Sequence, residues 1–102
     1  MIHVIATIEV APGTRESFLA EFKANVPDVL RETGCLAYGP AIDFPTGLPT
    51  QNTIRPNVVV VVEKWADLDA LNAHLQASHM IKYRARVKDF VVRVALQVLQ
   101  PV

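Results

Sequence analysis

At 102 residues, with ten basic and ten acidic side chains, the chain has zero formal net charge and no basic stretch that could follow a nucleic-acid backbone. No apolar run approaches the ~20 residues needed to cross a bilayer, and no charged segment precedes an apolar one at the N-terminus, so neither a membrane span nor a signal peptide is expected. The single cysteine, Cys35, excludes an internal disulfide, and 51% hydrophobic residues in so short a chain favour a partner surface, pointing to a single-domain cytoplasmic protein over residues 1–102.

Ile2–Val10 alternates, with Ile2, Val4, Ala6, Ile8 and Val10 on one face, and reads as a strand. Pro12 and Gly13 turn the chain, Thr14 is positioned to cap a helix, and Phe18, Phe22, Val26, Val29 and Leu30 recur at helical spacing. Pro27 should kink that helix, and Gly34 suits the C′ position that ends it. Residues 35–44 read as a second strand, with Leu36, Tyr38 and Ile42 on one face, and the prolines and glycine of residues 45–57 mark a long loop. Five valines then lead into Glu63 and Trp65. Val59, Val61, Glu63 and Trp65 lie on one face, Val58, Val60 and Val62 on the other, so this strand is apolar on both sides. Asp67 caps a helix bearing Leu68, Leu71 and Leu75. Ser78 is placed to cap its continuation, with Met80, Tyr83 and Val87 inward, and residues 90–99 form the closing strand.

The order β-α-β-β-α-β is the ferredoxin-like α+β arrangement. Two helices on one side cover only one face of a four-stranded sheet. The simplest cover for the other is a second copy of the chain, giving a homodimeric α/β barrel, with Val61 expected on the face so covered.

The chemistry-bearing residues gather near the end of the valine strand. Glu63 following five valines needs a partner if buried, and is as consistent with a structural ion pair as with handling a substrate proton. Trp65 alone reads as packing. His74 and His79 are five apart, so they do not share a helix face as a metal-binding pair would, and no metal site is expected. His79 falls where a helix restarts; a helix N-terminus disfavours the imidazolium, and a neutral imidazole can accept a proton. Tyr38 and Tyr83 could orient a polar ligand or fill the core. No glycine-rich phosphate loop, dinucleotide fingerprint or serine elbow is present.

Several segments carry a family resemblance: VPDVLRETGC at 26–35 followed by Tyr38, VVEKW at 61–65, AHLQASHM at 73–80 followed by Tyr83, and LQP at 99–101. On these the chain resembles the antibiotic biosynthesis monooxygenase family, most of all its bacterial quinol monooxygenase subgroup. The resemblance implies a dimeric ferredoxin-like barrel that oxidises a small phenolic or quinol substrate with O2 and uses no metal, flavin or haem. The haem-degrading members use a helical histidine and a first-strand asparagine, and the aligned positions here look like Ala85 and Thr7. The resemblance makes His79 the proton acceptor. Glu63 becomes an orienting carboxylate, or the base itself should His79 prove exposed, and Trp65, His74, Tyr83 and Tyr38 line the substrate site. A non-catalytic dimeric module that binds a small aromatic metabolite would use the same pocket.

Overall fold

A computed structural model describes residues 1–102. It comprises β1 (Ile2–Val10), α1 (Arg15–Leu30), β2 (Cys35–Ala41), β3 (Val58–Trp65), α2 (Leu68–Gln76), α3 (Ser78–Val87) and β4 (Val91–Leu99). The four strands form one antiparallel sheet in the order β2-β3-β1-β4. This is the ferredoxin-like α+β fold, with the second helical segment divided at Ala77. No helix is long and apolar enough to cross a membrane.

Register sorts the side chains between the two faces, because directly paired residues point the same way. One row runs Pro40, Val61, Ala6, Leu96, and the next runs Tyr38, Glu63, Val4, Val98. Both face the helices, so Val61 lies on the helix side and is 1% exposed, not on the free face as its sequence suggested. The free face carries Ile5, Val60 and Val62 among His3, Thr7, Lys64 and Gln97, and an Arg93–Glu9 ion pair crosses its edge.

From the helices, Phe18, Phe22 and Val29 of α1, Leu71 of α2, and Met80, Tyr83 and Val87 of α3 pack down onto this inner surface and are all buried. Full burial stabilises by roughly 1.5–3 kcal/mol per large apolar side chain, so these positions carry most of the fold's cohesion. The helices lie over β2, β3 and β1 and leave β4 largely uncovered. Val94, Leu96 and Val98 share the inner face with Ile8, Ala6 and Val4, yet stay 53%, 47% and 45% exposed.

Local details depart from the sequence expectations in four places. Thr14 stands at the N-cap, but its hydroxyl donates to the Ala11 carbonyl at 2.6 Å and caps no helix N–H. Ser78 is already the first residue of α3, so Ala77 holds the cap position without a side-chain bond; Asp67 does cap α2, accepting from the Ala70 N–H at 2.8 Å. Helix α1 runs through Pro27, which falls in its last turn, and its C-cap is Arg31, three residues before Gly34. Gly34 is instead needed for a tight approach: its φ is +82°, and a Cβ there would stand 2.6 Å from the Ala70 Cβ. Strand β2 stops at Ala41, and a register shift between Cys35 and Ala37 turns Leu36 out to solvent while Tyr38 points inward; Ile42, beyond the strand, is also exposed.

Candidate active site

Because β4 is uncovered, the helix side of the sheet holds an open-sided cavity of about 450 Å³. Its floor is Ala6, Ile8, Val61, Val94 and Leu96, and Phe22, Met80, Tyr83 and Val87 wall it from the helices. Twelve of its sixteen lining residues are hydrophobic, which suits a planar apolar ligand. The polar groups that reach it from the sheet and α2 are Tyr38, Glu63 and His74.

Glu63 is 5% exposed. Its Oε1 accepts the Trp65 indole N–H at 2.8 Å, a bond that β3 builds by placing the two side chains in successive positions on one face. This leaves Oε2 for a ligand. Burial pushes the carboxyl up to about 7, the indole bond opposes that rise, and the nearby Glu32 adds to it. A carboxyl half-ionised near neutrality can both take and return a proton.

Behind Glu63 lies an aromatic cluster. The Trp65 and His74 rings are 4.6 Å apart, Tyr38 and His74 5.3 Å, and Tyr38 stacks on Phe22 at 5.4 Å. Trp65 itself is fully buried and does not line the cavity; it positions Glu63 and packs on His74. Burial raises the Tyr38 and Tyr83 hydroxyls above their ordinary range, so both are neutral donors at physiological pH.

The histidines meet on a residue the sequence reading did not single out. His74 Nδ1 and His79 Nε2 both lie 2.8 Å from Oε2 of Glu32, in the turn that follows α1. The carboxylate oxygen accepts, so each of those ring nitrogens donates to it. Burial is the main influence on His74 and lowers its pKa, against the bond to Glu32, which raises it. His74 is therefore neutral near pH 7, with Nε2 a bare acceptor. His79 is held behind Glu32 and is not among the residues lining the cavity, whereas Glu63, His74, Tyr38 and Tyr83 are. The break at Ala77, whose φ of −62° and ψ of +142° are extended, lets two histidines five residues apart converge on one oxygen. Glu32 gave no periodic signal, because its partners lie 42 and 47 residues away.

Cys35 stays a thiol, pushed up by burial and then by Glu32 and Glu63. No group of three histidine, cysteine, aspartate or glutamate side chains is arranged to hold a metal ion.

A four-stranded ferredoxin-like sheet with its helices on one face, and one buried carboxyl in the apolar cavity between them, defines an α+β structural class. Within that class, the antibiotic biosynthesis monooxygenase family profile matches residues 1–86, and the chain belongs to this family. It is 39% identical over 103 residues to the Escherichia coli K12 protein named "Probable quinol monooxygenase YgiN", an alignment spanning 99% of this chain and 98% of that one. Among solved structures, PA3566 from Pseudomonas aeruginosa superposes with a TM-score of 0.81 at 26% identity, over 99% of this chain and 93% of that one. Rv0793 from Mycobacterium tuberculosis does so with a TM-score of 0.79 at 26% identity, over 99% and 94%.

Proposed function

We propose that the protein is a cofactor-independent quinol monooxygenase, with Glu63 as the base. The observation that carries this reading is the buried Glu63 carboxyl at the inner end of an otherwise apolar cavity, and the 39% identity to a protein named as a quinol monooxygenase supports it. A quinol is itself the reductant, so the protein needs only to hold the ring, remove a hydroxyl proton and exclude water. The ring lies between Phe22, Tyr83 and the β1–β4 floor. Glu63 Oε2 takes the hydroxyl proton, and the electron-rich quinolate passes electrons to O2. One oxygen atom replaces a ring hydrogen as a hydroxyl group and the other leaves as water, so quinol and O2 give a hydroxyquinone and water. Neutral His74 and the Tyr38 hydroxyl orient the oxygen substituents. His79 acts at one remove, through Glu32, and Trp65 fixes the carboxyl rotamer.

The active species is a homodimer joined through the free sheet face. Its central rows, Gly39–Val62–Ile5–Gln97 and Ala41–Val60–Thr7–Ala95, are largely apolar, and no segment of the chain covers them.

Oxygen uptake with menadiol tests the reading. The expected result is consumption well above the autoxidation rate, unchanged by chelators, with Glu63→Gln reducing turnover by ~10²–10⁴. Consumption equal to autoxidation at all protein concentrations would favour a binding module and remove the catalytic assignment.

A further inference from the structure

The cavity is apolar but not uncharged. Its mouth is lined by Arg84, in the last turn of α3, and Lys88, the C-cap residue one turn further on. Neither forms an ion pair, whereas Arg31, Arg55, Arg86 and Arg93 each pair with a carboxylate elsewhere on the surface. The Arg84 guanidinium is directed along the cavity rim, where its Nη2 donates to the Leu75 carbonyl at 2.8 Å, and Leu75 is itself a lining residue. Its charge is felt at His74 and Tyr83. The only acidic side chain in the lining is Glu63, at the far, buried end. The cavity is thus polarised along its length, with a carboxyl inside, apolar walls between and two unpaired cations outside.

A neutral ring would fill the walls and leave both cations without use. We infer that the preferred ligand is an aromatic acid: a phenol- or quinol-type ring whose hydroxyl meets Glu63 and His74 while an anionic substituent, a carboxylate on the ring or on a short side chain, lies against Arg84 and Lys88. This deepens the monooxygenase reading by naming the substrate class of the same site. Arg84 supplies a planar fork that can grip a carboxylate in two places, and Lys88 adds a mobile point charge beside it. Arg84 and Lys88 are both exposed, so the anion stays near solvent and need not be fully desolvated.

Binding separates this inference from the reaction. Calorimetric titration with 6-hydroxy-2-naphthoate, whose hydroxyl and carboxylate lie at opposite ends of the ring system, and with 2-naphthol, neither a quinol, compares the same ring with and without the carboxylate. The acid is expected to bind at least about tenfold more tightly at low salt, with the preference narrowing as salt rises. In the Arg84→Gln, Lys88→Gln double variant the ratio should fall to within about threefold. Arg86→Gln, which removes a charge from the same helix but outside the cavity, should leave the ratio unaltered. Equal affinities for the two ligands, or a preference that survives the double variant, would overturn the inference. Menadiol oxidation without an acid preference defeats this inference and spares the monooxygenase reading; an acid preference without oxygen uptake does the reverse.

Discussion

Replacing Glu63 with glutamine should make the protein more stable at alkaline pH, with only about a quarter of that gain present at pH 5. The carboxyl ionises at about 7 in the folded chain and near its ordinary 4.5 when unfolded, mainly because burial removes its solvation. Below pH 4.5 it is protonated in both states and carries no penalty. As pH rises from 4.5 towards 7, the unfolded chain releases the proton and the folded chain keeps it, so stability falls; above about 7 the loss is complete. The displacement corresponds to about 3 kcal/mol. Glutamine has no proton to lose, and its carbonyl can still accept the Trp65 indole N–H. Urea unfolding of both proteins at pH 5 and pH 8.5, at one fixed protein concentration, reads the effect. With a slope of about 1–2 kcal/mol per M for a chain of this size, the midpoints should differ by about 0.5 M at pH 5 and by about 2 M at pH 8.5, the variant being the more resistant. A midpoint difference that is the same at both pH values would show that Glu63 is solvated or paired in solution, and the argument for a base poised near neutrality would fail with it.

Gly34→Ala should destabilise by roughly 1–3 kcal/mol, because the new Cβ meets Ala70 and φ is positive; thermal unfolding should register a drop of at least about 4 °C, and an unmoved transition would mean the turn relaxes freely. Val62→Lys, on the free sheet face, should convert the proposed dimer to monomer in sedimentation because a lysine buried between two sheets lacks a partner, and a variant that dimerises as tightly as the parent would place the interface elsewhere. Glu32→Ala should drive the His74 titration to still lower pH in NMR, since it removes the bond and charge that favour the imidazolium and leaves the opposing burial, and should cost roughly 1–3 kcal/mol through the unpaired Nδ1–H. A His74 titration that stays put or rises would break the proposed link between the two.

The secondary structure was legible in the sequence because its signals are local. The alternation of Ile2–Val10, the helical spacing of Phe18 and Phe22 and the Asp67 cap each lie within one element, and they yielded the βαββαβ order and, through the quoted motifs, the family. The Glu63–Trp65 pair was equally visible, since two residues on one strand face must meet. What the tertiary structure decided concerns groups far apart in the chain. Periodicity describes one element's faces but cannot say which neighbour each face meets. That is why Val61 was assigned to the wrong side of the sheet until pairing with Ala6 and Pro40 fixed it. Nor could periodicity foresee that Gly34 must stay bare to admit Ala70. Glu32 joins two histidines only because the turn after α1 comes up against the break between α2 and α3. Arg84 and Lys88 carry no local signal, and they line a cavity only because the helices leave β4 uncovered. A buried carboxyl's solvation, and hence its proton affinity, is set by everything packed around it, and that environment exists only after the chain has folded.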